Sequence, residues 1–233
     1  LFVVFGASGR LGRCVVEELS RRGLPCRAVV RDPAKANWGE GVEVHQADLT
    51  QADSLPAAIA GATHVIMAAG GFSTLGLFQR HQHPRLVDGE GVMSLVRAVK
   101  EIEGCKLIIS SSLFVTRPNT FTAFMINTIS GGAMRWKAVS DQYCREAGIQ
   151  YCIVRPSHLV ETVSAQNLII AQGDEVGGEV TRSDVAYILV EAALSDQCTG
   201  CTIDVTSSDK RLTERCSEPS RDPAILFAGL AKD

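Results

Sequence analysis

Short apolar runs recur along the chain, and most of them are apolar at nearly every position. They are LFVVF (1–5), CRAVV (26–30), VEVHQ (42–46), HVIMAA (64–69), KLIIS (106–110), QYCIVR (150–155) and CTIDV (201–205). Runs of this length, rich in β-branched residues and without polar alternation, are typical of strands buried on both faces of a parallel sheet. The pattern therefore predicts a largely parallel sheet.

Helical periodicity occupies the intervals between these strands. One apolar stripe follows the first strand: Leu11, Cys14, Val15 and Leu19. Residues 86–104 and 135–148 show a similar spacing, and each stretch ends at a glycine. A further helix is predicted to begin after Thr181 as its N-cap, with Asp184 three residues on. Alternation of strands and helices predicts an α/β fold, a Rossmann-like doubly wound parallel sheet.

Composition excludes several classes of partner. The 233 residues are 45% hydrophobic and 21% charged, with a formal net charge of −3. This balance provides no basic field for nucleic acid, and no apolar run approaches the roughly 20 residues of a transmembrane helix. We therefore expect no nucleic-acid partner and no transmembrane segment.

The eight cysteines do not form the pattern of a disulfide scaffold. Cys198 and Cys201 have Cys-x-x-Cys spacing, but no second pair accompanies them, as a structural zinc site would need. We expect no metal site, and we interpret this pair as a turn that leads into a strand. A reducing compartment is the corresponding expectation.

The stretch GASGRLG, residues 6–12, joins the first strand to the first helix. A strand, a G-x-x-G-x-x-G loop and an amphipathic helix are the context that a dinucleotide-binding loop requires. The first glycine allows a tight turn, the second lets the backbone approach a pyrophosphate, and the third lets the helix pack closely. Free N–H groups at the helix N-terminus attract phosphate. The predicted cofactor contacts of this loop are Gly6, Ser8, Gly9, Arg10, Leu11 and Gly12.

The end of the second strand bears on which dinucleotide binds. Arg31 follows the strand, and Asp32 comes next. An arginine here suits the 2′-phosphate of NADP, whereas an acidic residue suits the 2′-hydroxyl of NAD. Arg10 lies in the glycine loop near the same region, and an arginine binds phosphate through two parallel hydrogen bonds. We expect NADP(H), with NAD(H) as the alternative that Asp32 keeps open.

Two further strand ends provide candidate contacts. We predict that Asp48 accepts a hydrogen bond from the adenine amino group and that Leu49 packs on the ring. The alternative for Asp48 is to cap a helix predicted over 51–60. Small residues follow the fourth strand: Ala68, Ala69 and Gly70. They would let the ribose and phosphates pass close to the backbone.

The stretches GASGRLG, VVRDP, ADLT, IISSS, RWKA, YCIVRPSHL and TRSDVAYILVEAAL occur in the order seen in atypical short-chain dehydrogenase/reductases. The chain resembles the NmrA-like and isoflavone-reductase-like NAD(P)-binding branch, and especially its compact plant and algal members. The resemblance covers nearly the whole chain to about Val205. It implies further cofactor contacts at Ser110, Pro156, Ser157 and His158, of which His158 has the alternative of a loop hydrogen bond.

The catalytic pair departs from the pattern of this family. Short-chain dehydrogenases use Tyr-x-x-x-Lys, in which the tyrosine donates the proton and the lysine lowers its pKa. Lys137 matches the lysine, but the position four residues before it is Ala133. The resemblance implies that Lys137 alone serves as acid/base or cofactor anchor, and that Ser111 lies where the family's catalytic serine sits. The alternatives are a surface lysine and a serine that satisfies backbone groups.

The substrate side of the predicted site is small. It consists of residues 113–132, which are apolar and aromatic, and residues 158–180. The first segment would cover the nicotinamide end, either as a hydrophobic pocket or as a surface patch that faces a lipid or a partner protein of a complex. We expect residues 1–205 to form an NAD(P)-binding Rossmann domain, and 206–233 to form a linker and a C-terminal helix.

Two functions follow from these features. The first is an NADP-dependent reductase of a small or hydrophobic carbonyl or quinone-like compound. The second is a non-catalytic NADP(H)-binding subunit that senses redox state or scaffolds a larger photosynthetic or respiratory complex. The missing tyrosine favours the second, and the retained Lys137 is compatible with both. The resemblance to plastid proteins implies a chloroplast; the alternative is the cytoplasm or another reducing compartment.

Overall fold

Backbone pairing in the computed structural model joins eight strands into one sheet, within the described residues 1–70, 83–116, 132–161, 167–174, 176–207, 216–217 and 219–233. The described residues form ten strands in all: β1 (Phe2–Phe5), β2 (Cys26–Val30), β3 (Val42–Gln46), β4 (His64–Met67), β5 (Lys106–Ser110), β6 (Gln150–Pro156), β7 (His158–Val160), β8 (Ile169–Ala171), β9 (Glu179–Thr181) and β10 (Cys201–Thr206). The sheet order is β3-β2-β1-β4-β5-β6-β10-β8, and only β8 is antiparallel to its neighbour. β7 and β9 form a separate parallel pair.

Helices lie between the strands. They are α1 (Arg10–Arg21), α2 (Leu55–Ile59), α3 (Val92–Lys100), α4 (Ala133–Glu146), α5 (Arg182–Leu194) and α6 (Pro223–Leu226). A π-helical segment, Arg85–Gly91, precedes α3 directly. Within the described ranges, the helices are too short or too polar to cross a lipid bilayer. This arrangement confirms the predicted α/β, Rossmann-like fold.

Both faces of the sheet are buried, because successive residues of a strand point to opposite faces. On one face, Val4 shares a core with Leu19 of α1 and Leu189 of α5. On the other face, Val3 shares a second core with Leu95 of α3. Each such side chain contributes about 1.5–3 kcal/mol when it is fully buried. Two cores explain why the strands are apolar at nearly every position.

The helix boundaries agree with the predicted start signals and differ from some predicted lengths. Thr181 caps α5, and its side chain accepts a hydrogen bond from the Asp184 N–H at 3.1 Å. The predicted helix over 86–104 is instead the π-helical segment followed by α3. The predicted helix over 51–60 shortens to a 3-10 turn and α2. The strands β7, β8 and β9 have three residues each, which is too short for a periodic signal.

The described part of the C-terminal stretch packs on the edge of the sheet. Leu168 and Ser220 exchange backbone hydrogen bonds of 2.7 and 2.9 Å, and Ser217 N–H donates to the Ile170 carbonyl. Phe227, after α6, is buried. The polar composition of this stretch gave no signal for pairing with the sheet. The division of the chain at residue 205 stays a prediction.

Candidate functional site

A cavity of about 840 Å³ lies beside the carboxyl ends of β1 and β4, where the strand order reverses. In open α/β sheets, ligands bind in the crevice at this position. The predicted site residues that line the cavity are Gly6, Ser8, Gly9, Arg10, Leu11, Arg31, Asp48, Leu49, Ala68, Ala69, Gly70, Ser110, Ser111, Lys137, Pro156, Ser157 and His158. The fold thus brings them together, and cofactor binding by each of them stays a prediction.

The glycine loop has the geometry that its sequence predicts. Gly6 has φ of +75°, and a Cβ there would lie 2.6 Å from Ala69 Cα. A Cβ on Gly12 would lie 2.1 Å from the Gly6 carbonyl oxygen, so Gly12 allows the helix to pack against the turn behind the cavity. Gly9 N–H donates to the same oxygen at 2.9 Å. Side chains at Gly6 and Gly12 would therefore displace the loop.

The N-terminus of α1 suits an anion. Gly9 occupies the N-cap position, where no side chain accepts a hydrogen bond from the helix. The first turn contains no acidic residue. The first N–H groups of this helix therefore keep their partial positive charge without a competing carboxylate on the same turn. A phosphate is the natural partner for such a terminus beside a glycine loop.

Charged side chains meet at the exposed edge of the cavity beside this loop. Arg10 Nη1 lies 3.2 Å from Glu161 Oε1, and Arg182 Nη1 pairs with the same oxygen. The Arg10 side chain is 77% exposed and that of Arg182 is 12% exposed. The sequence predicted a phosphate contact for Arg10 but neither its pairing with Glu161 nor the nearby Arg182. Arg182 is the first residue of α5, so the predicted cap at Thr181 was a signal for it.

The residues predicted to recognise the adenosine end are in different environments. Arg31 lines the cavity and is exposed, whereas Asp32 accepts a hydrogen bond from Ala34 N–H in a short turn. Asp48 Oδ1 accepts hydrogen bonds from the Thr50 N–H and hydroxyl at 2.9 and 2.8 Å. Asp48 therefore makes a local turn contact with Thr50 and not the helix cap of its alternative interpretation, and it lines the cavity.

Lys137 lies in the cavity wall on α4 with a buried acidic partner. Its Nζ is 2.9 Å from Asp88 Oδ1 in the π-helical segment and 3.3 Å from the Ser110 carbonyl oxygen. The Asp88 side chain is 1% exposed and that of Lys137 is 17% exposed. Sequence reasoning missed Asp88. Gly89 and Gly91 inside a predicted helix were the available signal that this segment is irregular.

Ser111 is connected to a second buried ion pair. Its hydroxyl donates to Asp141 Oδ2 at 2.9 Å, and Arg155 Nη2 donates to the same oxygen at 3.1 Å. Burial raises the pKa of Asp141, and the Arg155 guanidinium opposes that rise. Since the Ser111 hydroxyl is the donor in this hydrogen bond, its proton points to Asp141 and not into the cavity. Ser111 therefore presents lone pairs toward it.

An apolar wall forms the cavity next to Lys137. Its members are Leu113, Phe114, Met134 and Leu159. Phe114 has φ of +67°, which is unusual for a residue other than glycine. The buried Asp174 carboxylate accepts hydrogen bonds from Phe114 N–H, from Thr116 N–H at 3.0 Å and from the Thr116 hydroxyl at 2.6 Å. Residues 117–131 of the predicted covering segment lie outside the described residues.

A match over most of the chain identifies its family. Residues 6–196, which include the glycine loop, Asp88 and Lys137, match the family described as NAD(P)H-binding. The chain belongs to the NAD(P)H-binding family.

Curated relatives of this NAD(P)H-binding chain include plant proteins. It is 27% identical over 238 residues to an uncharacterised chloroplastic protein of Arabidopsis thaliana, with 97% of this chain and 81% of that protein covered. It is 27% identical over 258 residues to the chloroplastic protein TIC 62 of Pisum sativum, with 97% of this chain and 47% of that protein covered. It is 24% identical over 261 residues to sanguinarine reductase of Eschscholzia californica, covering 96% and 93%. The chain thus spans less than half of TIC 62.

Solved structures of low identity share the fold. The oxidoreductase ylbE of Lactococcus lactis has a TM-score of 0.77 at 20% identity, covering 89% of this chain and 90% of that one. The anaerobilin reductase ChuY of Escherichia coli O157:H7 has a TM-score of 0.74 at 22% identity, covering 91% and 99%. A short-chain dehydrogenase/reductase of Veillonella parvula in complex with NADP has a TM-score of 0.71 at 16% identity, covering 91% and 98%.

The residues of this site fit a dinucleotide, because a Cβ would fill the turn at Gly6 and α1 begins without a cap. They do not fit the usual catalytic pair. Ala133 stands four residues before Lys137, and the tyrosines Tyr143, Tyr151 and Tyr187 are absent from the lining that the described residues form. Lys137 contributes an ammonium group to the cavity, and Ser111 lines the same cavity.

Proposed function

We propose that the chain is an NADP(H)-dependent reductase of a small or hydrophobic carbonyl or quinone-like compound. The observation that carries this proposal is that a single cavity is lined by the glycine loop, by Ser111 and by Lys137. Such a cavity has room for a dinucleotide and for an acceptor beside its reactive end. Membership in the NAD(P)H-binding family supports the cofactor class.

Arginines support NADP(H) over NAD(H). Arg31 lines the cavity at the end of β2, where the 2′-phosphate of NADP would be recognised. Asp32 follows it but caps a local turn through Ala34 N–H. An NADP complex among the structural neighbours is consistent with this choice. We therefore assign the 2′-phosphate to Arg31, with Arg10 as a second cation.

The proposed chemistry places proton donation on Lys137. The bound cofactor would supply the hydride. Asp88 and the Ser110 carbonyl occupy two sides of the Lys137 ammonium, which leaves one N–H for an acceptor in the cavity. Ser111 cannot donate a hydrogen bond to that acceptor while its hydroxyl donates to Asp141. Ser111 would instead accept a hydrogen bond from an amide or hydroxyl group.

The apolar wall next to Lys137 supports a hydrophobic acceptor. Phe114 and Met134 line it, and an aromatic ring and an adaptable thioether side chain both suit a flat molecule. Two proteins of similar sequence or fold are named as reductases, of sanguinarine and of anaerobilin. These names support a reductase of a hydrophobic compound.

A non-catalytic NADP(H)-binding subunit is the second candidate. The observation in its favour is Ala133 at the position of the usual proton-donating tyrosine. We propose that in this case residues 113–132 would contact a partner protein. Chloroplastic relatives support a chloroplast location for either candidate.

Oxidation of NADPH distinguishes the two candidates. The assay uses saturating cofactor with a panel of quinones, aldehydes and enones, and compares the wild type with Lys137→Met. A reductase should lose roughly 10²–10⁴-fold in turnover, as is typical when acid/base help is removed. Lys100→Met, at the exposed end of α3, is the matched control. Cofactor binding without turnover on any substrate would support the binding subunit, and turnover unaffected by Lys137→Met would remove Lys137 from the mechanism.

A further inference from the structure

Packing fixes Asp88 against the helix that carries Lys137. A Cβ on Gly89 would lie 2.7 Å from Trp136 Cε3, and a Cβ on Gly91 would lie 2.7 Å from the Leu86 carbonyl oxygen. At Gly89 the π-helical segment therefore approaches α4 more closely than a side chain would allow, whereas Gly91 allows the close packing of the segment itself. Trp136 precedes Lys137, and Gly89 follows Asp88, so this contact sets the two charged groups side by side.

The two charges compensate each other. Asp88 is almost fully buried, and its Oδ1 lies 2.9 Å from Lys137 Nζ. Other charges of the same region have partners of their own: Arg155 pairs with Asp141, and Arg85 pairs with Glu90. Removing either member of a buried pair leaves the other charge uncompensated.

We propose that Asp88 is a positioning residue that balances the charge of Lys137 and thereby lets the site bind both redox forms of the cofactor with similar affinity. This inference rests on the proposed function, because it requires the nicotinamide end of the cofactor to lie near Lys137. The oxidised nicotinamide ring carries a positive charge, whereas the reduced ring is neutral. An uncompensated ammonium would repel the oxidised ring and leave the reduced ring unaffected.

The test is the ratio of the dissociation constants of NADP⁺ and NADPH, measured by titration. Asp88→Asn keeps the shape of the side chain and removes its charge. It should therefore weaken the binding of NADP⁺ roughly tenfold more than the binding of NADPH. The double variant Asp88→Asn with Lys137→Met should return the ratio to about its wild-type value. Asp88→Glu should preserve the ratio because it keeps the charge.

Glu90→Gln is the matched control, because Glu90 lies on the same segment and pairs with Arg85 at the surface. It should leave the ratio unchanged. If Asp88→Asn does not fold, Lys137→Met is the test. It leaves the Asp88 carboxylate without its cation and should strengthen the binding of NADP⁺ relative to that of NADPH.

Equal weakening of both nucleotides by Asp88→Asn would show a purely structural role and overturn the inference. An unchanged ratio in folded Asp88→Asn would also overturn it. A wild type that binds neither nucleotide would overturn the proposed function as well, whereas an unchanged ratio with tight binding leaves the proposed function standing.

Discussion

The Ser111 hydroxyl donates a hydrogen bond to the Asp141 carboxylate, with 2.9 Å between the two oxygens, and Arg155 donates to the same carboxylate. A hydrogen bond to a buried charged group contributes about 1.5–3 kcal/mol. Ser111→Ala should therefore lower the free energy of unfolding by this amount in urea denaturation at neutral pH. Ser112→Ala, at the next position, should change it by less than about 0.5 kcal/mol. Equal losses in both variants would contradict the role of this bond.

Arg31 should decide between the two nicotinamide dinucleotides. We expect the wild type to bind NADPH more tightly than NADH, and Arg31→Ala to lose about 1.5–3 kcal/mol of NADPH binding, as for a charge-assisted hydrogen bond. Affinity for NADH should stay the same, because NADH has no 2′-phosphate. Arg21→Ala, at the end of α1, is the control. A wild type with equal affinity for both cofactors would remove the assignment.

Glu161 should compete with the phosphates of the cofactor for Arg10 and Arg182. Glu161→Gln removes the carboxylate that pairs with both arginines. Since exposed ion pairs contribute up to about 1 kcal/mol, NADPH affinity should rise by up to about fivefold. The gain should shrink at high salt because the Arg10–Glu161 pair is exposed. Glu17→Gln, on the outer side of α1, should have no effect; weaker binding by Glu161→Gln would contradict the competition.

Cys26 should make the protein less stable in alkaline solution. Burial raises the pKa of its thiol to about 12, whereas an unfolded cysteine titrates near about 8.5. Because the folded pKa is the higher one, the stability contribution is complete below the unfolded pKa and is lost as pH rises toward 12. Each pH unit in this window should cost about 1.4 kcal/mol. Cys26→Ala should reduce the slope measured by urea denaturation at pH 8, 9 and 10 by this amount, while the buried Cys105 and Cys144 keep their own contributions. Parallel slopes would contradict the assignment.

The sequence predicts those parts of the site that depend on local backbone geometry. Gly6 has positive φ and Gly12 contacts the preceding turn, and both requirements can be inferred from a strand, a loop and a helix that are adjacent along the chain. Thr181 as a helix cap is local in the same sense. Lys137 is identified by family resemblance, although Ala133 replaces the tyrosine of the usual motif.

The partners of these residues could not be predicted, because they come from distant parts of the chain. Asp88 reaches Lys137 through a π-helical segment that interrupts a pattern predicted as one helix. Asp141 lies 30 residues after Ser111 along the chain and reaches it through the fold. The strand β8 has three residues and becomes part of the sheet through pairing with β10 alone. Tertiary contacts, rather than local preference, determine these features.

Asp174 has a consequence for how such a protein diverges. Its carboxylate fixes Phe114 and Thr116 just before residues 117–131, and Gly132, at φ of +85°, begins the turn into the Lys137 helix just after them. Insertions or replacements between two fixed ends leave the ends in place. The intervening stretch can therefore change in length or sequence without moving Lys137 or the glycine loop.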